Sequence, residues 1–263
     1  MDNFNYKKSL GQNFLQDINV LTNIVKSANI KEKSLVIEVG PGSGNLTREI
    51  AKVANQVLCY EIDERLEVIL DKSLIDYHNV DIIFDDFLKR DIKKDIEKYE
   101  YDNLYLVANL PYYITTPIIE KVIDSSLPFK QLTIMIQKEV GERFNAKPGT
   151  KEYNSLTVYL NYYFNLKKEF IVSRNCFIPK PNVDSIVISL IKKDNLLELK
   201  NKDHFNKLLR DSFKFKRKTL KNNLKNYDLD KINNVLTKYN FNLTTRAEEI
   251  PLEVFVDISN NLN

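Results

Sequence analysis

The chain has 263 residues, of which 43% are hydrophobic and 29% are charged, and its net charge is +3. This predicts a globular protein with room for an α/β domain and a smaller one, and every apolar stretch is too short to span a membrane. Two dispersed cysteines and two dispersed histidines argue against a disulfide framework, a zinc cage or a histidine-activated nucleophile. Because no apolar signal segment opens the chain, we expect a cytoplasmic protein, and the dispersed cysteines and histidines predict no bound metal.

Strands and helices are predicted to alternate over residues 18–191. The first helix begins after Asp17, a suitable N-cap, and covers residues 18–28 with apolar positions at helical spacing. Apolar runs then predict strands at residues 35–39, 57–60, 80–84, 104–108, 132–136, 168–173 and 185–191. Helices are predicted at residues 45–53, 64–72, from about 117, and at 153–164. This alternation is typical of a doubly wound, largely parallel sheet.

Beyond residue 191 strand patterns stop, and only helices are predicted, at residues 204–218, 221–226, 230–239 and 252–260. We therefore expect two domains, a sheet domain at 1–191 and a small helical domain at 192–263. Residues 192–263 contain 15 basic and 10 acidic side chains, whereas the first 191 residues carry a net charge of −2. The basic helical domain predicts a polyanionic partner.

Seven basic side chains are concentrated in residues 210–225, against one acidic side chain, Asp211. If these residues are helical, the apolar positions Leu209, Phe213, Leu220 and Leu224 face inward and most of the charges face solvent. Such a surface is typical of RNA contact. The seven predicted RNA-binding residues are Arg210, Lys214, Lys216, Arg217, Lys218, Lys221 and Lys225.

A glycine-rich turn, Glu38-Val-Gly-Pro-Gly-Ser-Gly44, follows the first long strand. Its glycines allow a tight turn and the close approach of a ligand to the backbone. Asn45 stands where a dinucleotide fingerprint has its last glycine, and the Gly-Lys-Ser/Thr of a Walker loop is absent. The turn therefore predicts a site for a ligand that has no phosphate groups to bind.

Acidic residues follow the next two strands. Glu61 lies some 20 residues after the first glycine of the turn, the distance expected for an acid that binds ribose hydroxyls. Asp85 and Asp86 end the following strand and can accept a hydrogen bond from an adenine amino group. One acidic residue can thus bind a ribose and another an adenine amino group, and no phosphate-binding loop is present. This combination indicates an adenosine ligand such as S-adenosylmethionine.

The segment Asn109-Leu-Pro-Tyr112 follows the strand at 104–108. Pro111 lacks a backbone donor and biases Leu110 towards an extended conformation, so the chain leaves the sheet here. The carboxyl edge of an open α/β sheet is where ligands bind. An amide and carbonyls accept hydrogen bonds from an amine, and a phenol ring stacks on a planar base. The segment therefore favours an exocyclic amino group of a nucleobase as the target.

Four segments together resemble the ribosomal RNA adenine dimethyltransferase family over nearly the whole chain. Ser9-Leu-Gly-Gln-Asn-Phe-Leu15 is similar to its cofactor-capping motif, Glu38-Val-Gly-Pro-Gly42 to its glycine loop, Asn109-Leu-Pro-Tyr-Tyr-Ile-Thr-Thr-Pro117 to its catalytic motif and Phe177-Ile-Pro-Lys-Pro-Asn-Val-Asp-Ser185 to its target-base motif. The resemblance implies a class I S-adenosylmethionine-dependent methyltransferase fold (a Rossmann-like, doubly wound sheet) with a small C-terminal α-helical domain.

The resemblance also implies roles for individual residues. Cofactor contacts are implied for Asn13, Leu15, Gly40, Glu61, Asp86 and Asn109. Asn109 and the carbonyls of Leu110 and Pro111 are implied to bind the target amine. Tyr112 and Phe177 are implied to hold the adenine ring.

Two branches of the family share these motifs. The housekeeping branch dimethylates two adjacent adenosines near the 3′ end of small-subunit (16S) rRNA, and the Erm branch modifies 23S rRNA and confers macrolide resistance. Thr115-Thr116-Pro117 and Gln137-Lys-Glu-Val-Gly-Glu-Arg143 are similar to the housekeeping branch. This implies the immature small ribosomal subunit as partner and, we expect, a monomer. Alternatives are an Erm-type enzyme, a non-catalytic RNA-binding factor, and a small-molecule or DNA amine methyltransferase.

Overall fold

The computed structural model of the chain describes residues 13–111 and 114–262. It divides into two compact units, one of Met1–Gly141 with Lys167–Lys192 and one of Glu142–Leu166 with Lys193–Asn263. The second unit thus includes residues 142–166, which the sequence led us to expect in the first domain. The reason lies in packing: Val158 and Tyr162 are buried against Phe205 and other apolar side chains of the second unit.

Nine strands occur in the described ranges. They are β1 (Phe14–Leu15), β2 (Ser34–Val39), β3 (Gln56–Glu61), β4 (Val80–Phe84), β5 (Asn103–Asn109), β6 (Phe129–Gln137), β7 (Phe164–Val172), β8 (Phe177–Ile178) and β9 (Ser185–Lys192). Seven of them form one sheet in the order β4-β3-β2-β5-β6-β9-β7, while β1 and β8 form a separate antiparallel pair. Strands β2 to β6 are mutually parallel and β9 runs antiparallel to β6. The predicted doubly wound, largely parallel sheet is confirmed.

Eleven α-helices occur in the same ranges. They are α1 (Ile18–Ala28), α2 (Asn45–Ala51), α3 (Glu67–Leu74), α4 (Ile92–Ile96), α5 (Thr115–Asp124), α6 (Lys138–Phe144), α7 (Ser155–Tyr163), α8 (Lys202–Ser212), α9 (Leu220–Asn223), α10 (Leu229–Lys238) and α11 (Leu252–Leu262). None of these helices combines the length and apolar character that crossing a bilayer requires.

Local sequence explains where α1 begins and ends. The Asp17 side chain accepts hydrogen bonds from the backbone N–H groups of Asn19 and Val20, which confirms its predicted role as N-cap. Asn29 closes the helix in a left-handed conformation, with φ of 49°. The buried face of α1 packs on the sheet with Val36, Val107 and Val187, and this fixes one layer over the strands.

The helix predicted at residues 204–218 is shorter in the structure, because α8 ends at Ser212. The Asn223 side chain donates to the Ser212 carbonyl over 2.7 Å and so satisfies the end of the helix. Lys214 and Lys218, four residues apart, would repel each other on a continued helix. Residues 213–219 therefore form a loop between α8 and α9.

Candidate active site

Four strand ends meet at one edge of the sheet. The chain order of the strands reverses between β2 and β5, which are parallel neighbours, and this is the topological switch point where open α/β sheets bind ligands. The glycine turn follows β2, Glu61 ends β3, Asp85 follows β4 and Asn109 ends β5. The tertiary structure thus brings together polar residues from four distant parts of the chain.

The glycine turn adopts backbone angles that favour glycine. The φ angles are +75° at Gly40, +60° at Gly42 and +78° at Gly44. A Cβ atom at Gly42 would lie 2.6 Å from the Phe14 ring, so β1 can cover the turn only because this residue has no side chain. At Gly40 a Cβ atom would meet no heavy atom within 4 Å, and the backbone here is open to a ligand.

Glu61 holds the glycine turn in place. Its carboxylate accepts a hydrogen bond from the Gly42 N–H over 3.1 Å and another from the Asp63 N–H over 2.9 Å. Burial raises the pKa of this carboxyl, and the two backbone donors oppose the rise. Because each carboxylate oxygen has two lone pairs, Glu61 can still accept hydrogen bonds from a ligand's hydroxyl groups.

The loop after β4 is braced from two sides. Arg90 forms ion pairs with Asp85 and Asp95, and Asp95 also accepts a hydrogen bond from the Tyr60 hydroxyl over 3.1 Å. On the other side, Lys121 donates to the backbone carbonyls of Leu88 and Arg90 over 3.0 and 2.7 Å. These contacts fix the backbone on which Asp86 is carried.

Asn109 is oriented by the N-terminal segment. Its amide nitrogen donates to the Asn13 carbonyl over 3.3 Å, so its Oδ1 is the acceptor that the side chain presents. The Pro111 carbonyl accepts from the Ile114 N–H over 3.2 Å and from the Thr115 hydroxyl over 3.5 Å. This carbonyl is therefore engaged in starting α5.

These residues line one cavity of about 210 Å³. All six predicted cofactor residues line it: Asn13, Leu15, Gly40, Glu61, Asp86 and Asn109. Leu110 and Pro111 of the predicted catalytic segment line it as well. Glu61, Asp86 and Asn109, predicted to bind the ribose, the adenine and the target amine, therefore surround the same cavity.

Of the two predicted base-contacting residues, the structure describes only Phe177. Tyr112 lies outside the described residues. Phe177 is 3% exposed and lies in the apolar core, paired through β8 with Leu15 of β1. Its ring therefore offers no open face to a base in this conformation, which corrects the sequence-based placement. Stacking by Phe177 stays a prediction that requires its ring to leave this core.

Sequence reasoning missed several residues of the cavity wall. Tyr60 and Phe87 line it with their rings in edge-to-face contact, the centroids 5.1 Å apart, and Ile62 adds an aliphatic surface. These side chains form an apolar wall next to Asp86. The sequence could have indicated two of them, because Ile62 directly follows Glu61 and Phe87 directly follows Asp86. Ligands of open α/β sheets bind beside these strand ends.

The seven predicted RNA-binding residues are all exposed in the second unit. Only Arg210 lies on α8, and Lys214, Lys216, Arg217 and Lys218 lie in the loop at 213–219. Lys221 is on α9 and Lys225 follows it. Within the ranges that the structure describes, none of the seven forms an ion pair with an acidic side chain, so their charges are available to a polyanion.

Glu38 is a buried carboxyl at the wall of the cavity, with 1% exposure. Desolvation raises its pKa from 4.5 to about 7, and the nearby Glu61 adds to the rise. The Cys59 thiol donates to its Oε2 over 3.6 Å and opposes the rise. At neutral pH a substantial fraction of Glu38 is protonated.

We expect Glu38→Gln to change how stability depends on pH. Between pH 4.5 and about 7 the folded protein keeps a proton on Glu38 that the unfolded chain releases, so Glu38 makes unfolding easier as pH rises. Relative to the wild type, the variant's unfolding free energy should rise by roughly 3 kcal/mol across this window. Urea unfolding at several pH values measures this. The same substitution at the exposed Glu67 is the control, and an equal effect there would contradict the assignment.

Comparisons with known proteins agree with this geometry. A family model described as ribosomal RNA adenine dimethylase matches residues 3–263. The ribosomal RNA small subunit methyltransferase A of Bacillus mycoides (strain KBAB4) is 44% identical over 268 residues, which cover 98% of this chain and 92% of that protein. The protein of the same name from Bacillus cereus (strain B4264) matches with the same identity and coverage.

Solved structures are similar over the same length. A dimethyladenosine transferase from Plasmodium falciparum superposes with a TM-score of 0.78 at 28% identity, covering 93% of this chain and 95% of that one. The 23S rRNA methyltransferase ErmE superposes with a TM-score of 0.74 at 25% identity, covering 95% of this chain and 99% of that one. These superpositions confirm the predicted Rossmann-like methyltransferase fold.

Proposed function

Because the chain belongs to the ribosomal RNA adenine dimethylase family, we propose that it dimethylates two adjacent adenosines near the 3′ end of small-subunit rRNA, with S-adenosylmethionine as methyl donor. The observation that carries the proposal is the cavity at the switch point, where Gly40, Glu61, Asp86 and Asn109 converge. The 44% identity to small-subunit methyltransferases over 98% of the chain supports the choice of RNA.

The residues of the cavity fit S-adenosylmethionine. The open backbone at Gly40 leaves room for a ligand to approach, and Glu61 offers acceptors for ribose hydroxyls. Asp86 offers an acceptor for the adenine amino group beside the apolar wall of Tyr60, Ile62 and Phe87. S-adenosylmethionine supplies a methyl group on a sulfonium, which is already activated for displacement.

Gly40→Ala and Gly149→Ala test this fit as a matched pair. Both glycines have positive φ, +75° and +84°, and at both a Cβ atom meets no protein atom within 4 Å. Each substitution should therefore cost about 1–2 kcal/mol of stability. Only Gly40→Ala should also weaken S-adenosylmethionine binding, by at least about tenfold. Calorimetric titration measures this, and equal binding by both variants would contradict contact at Gly40.

Asn109 and Leu110 can prepare the target amine. The lone pair of adenine's exocyclic nitrogen is delocalised into the ring, which makes it a poor nucleophile. Asn109 Oδ1 and the Leu110 carbonyl, as acceptors for the two N–H groups, favour a pyramidal nitrogen with a free lone pair. The remaining requirement is alignment with the methyl group. The Leu110 carbonyl is the proposed acceptor, because the Pro111 carbonyl already accepts hydrogen bonds from Ile114 and Thr115.

The target base must leave its stack to reach this cavity. We propose that Tyr112, which follows directly after Pro111 in the chain, stacks on it. Phe177 joins only if its ring leaves the apolar core. The RNA itself is held by the seven basic residues of the second unit, and the protein acts in the cytoplasm as a monomer on the immature small subunit.

Methylation of separate substrates tests the proposal. The purified protein is incubated with tritiated S-adenosylmethionine and either unmethylated small subunits or 23S rRNA, followed by nucleoside analysis. Dimethyladenosine in the small-subunit RNA is the expected result. Label only in 23S rRNA would favour the second candidate, an Erm-type activity, for which the superposition with ErmE is the supporting observation. Absence of label in both would contradict the proposed function.

A further inference from the structure

The loop at 213–219 presents an aromatic ring to solvent. Phe215 is 55% exposed, and within residues 13–111 and 114–262 every other phenylalanine or tyrosine is at least partly buried. Single exposed apolar residues are common on protein surfaces and need no explanation by themselves. What distinguishes Phe215 is its place between Lys214 and Lys216, with Arg217 and Lys218 next in the chain.

The backbone that carries Phe215 is held by Asn223. The Asn223 side chain accepts a hydrogen bond from the Phe215 N–H over 3.2 Å and donates to the Phe215 carbonyl over 3.3 Å. The Lys218 N–H donates to the same carbonyl over 2.9 Å. The ring is therefore directed outward by a fixed backbone and does not depend on a frayed terminus for its exposure.

Both ends of the loop are anchored in the second unit. At one end the Phe213 ring packs against Tyr153 and Phe255, with centroids 6.1 and 5.7 Å away. At the other, Leu220 is buried and its N–H donates to the Thr245 carbonyl over 2.9 Å. Two phenylalanines separated by one lysine thus face opposite ways, Phe213 into the core and Phe215 into solvent.

The charges around the ring decide which ligand fits. Lys214 Nζ lies 5.6 Å from the centroid of the Phe215 ring, and the four basic residues of the loop form no ion pair within the described residues. An aromatic face surrounded by unpaired cations matches a nucleotide, whose base stacks while its phosphates bind the cations. The bases of a duplex already stack on each other, so the ring requires an unpaired one.

We propose that Phe215 is a stacking site for an unpaired base of the RNA substrate, with the adjacent lysines and Arg217 bound to the flanking phosphates. This rests on the proposed function, because it concerns how the same RNA is held. It adds a contact to bases where the basic residues alone give only contact to phosphates.

Fluorescence of a Phe215→Trp variant tests the proposal. The chain has no tryptophan, so the variant carries a single reporter at the proposed site. The probes are an unmethylated hairpin from the 3′ end of small-subunit rRNA, with its unpaired loop, and a blunt duplex of equal length. We expect the hairpin to quench the emission saturably, and the duplex to quench it much less. Leu197→Trp, at another exposed position of the same unit, is the control and should not respond.

Binding measured by anisotropy of labelled hairpin separates the outcomes. Phe215→Ala should bind roughly 5- to 100-fold more weakly, whereas Phe215→Tyr keeps a ring and should bind like the wild type. The salt dependence of binding should not change in Phe215→Ala, because no charge is removed. Hairpin binding that leaves the tryptophan emission unchanged, or quenching by polyglutamate of equal strength, would overturn the stacking site and leave the proposed function intact. Failure of the wild type to bind the hairpin at all would overturn both.

Discussion

Asn109→Ala is expected to lower kcat for methyl transfer by about 10²–10³-fold, the usual cost of removing one preorganised polar group from a reacting centre. The substitution removes the Oδ1 that we propose as the acceptor for the target amine. It also removes the hydrogen bond to the Asn13 carbonyl, so S-adenosylmethionine should bind somewhat more weakly. Single-turnover kinetics with saturating cofactor separate the two effects, and the loss in rate should far exceed the loss in cofactor binding.

Asn103→Ala is the matched control for this prediction. Asn103 begins the strand that Asn109 ends, and its side chain donates to the Glu32 carbonyl at the protein surface. The same chemical change at the far end of β5 should leave kcat within about threefold, since Asn103 touches none of the reacting groups. If both variants lose activity equally, the effect of Asn109→Ala reflects the strand's stability and the amine-acceptor role is wrong.

Replacing Arg217 and Lys218 together by glutamine is expected to weaken RNA binding at least roughly tenfold at physiological salt. Each phosphate contact releases condensed counterions, so the slope of log affinity against log salt should fall by about 1.5 for two lost contacts. Methylation at saturating RNA should be nearly unaffected, because these residues lie outside the cavity. Filter binding at four salt concentrations gives affinity and slope together.

Lys231→Gln with Lys238→Gln provides the control for charge alone. Both lysines are exposed on α10 of the same unit, away from the 213–219 loop in sequence. The double variant has the same net charge as the loop variant, so a general attraction between protein and RNA would be reduced equally. Equal slopes for the two variants would show that the loop makes no specific contact with phosphates.

The two variants report on different parts of the proposed reaction. Asn109→Ala should bind RNA normally and fail in chemistry, whereas the Arg217 and Lys218 variant should react normally once enough RNA is supplied. This division is expected because the residues that we propose for the chemistry line the cavity of the first unit, while the proposed RNA-binding charges lie in the second. Both variants failing in both assays would indicate a general loss of structure instead.

Much of the sheet and of the candidate cofactor site was determined by local sequence. The parallel strands β2 to β6 are largely apolar, since both faces of a parallel sheet are covered, and a polar or glycine residue marks the end of each. Glu61 and Asn109 were therefore predicted correctly at the ends of β3 and β5. The N-cap role of Asp17 and the turn at Gly40 likewise depend on a few neighbouring residues, so the sequence alone was sufficient.

Only the tertiary structure decided features that depend on distant contacts. Periodicity predicted a helix through residue 218, but Asn223 reaches back to Ser212 and Phe215 and ends it. Phe177 was expected at the base, whereas pairing of β8 with β1 buries it opposite Leu15. The brace of Lys121 on the Asp86 loop joins residues more than 30 positions apart. The local sequence pattern does not specify which distant residues come into contact, because these contacts depend on the packing of the whole fold.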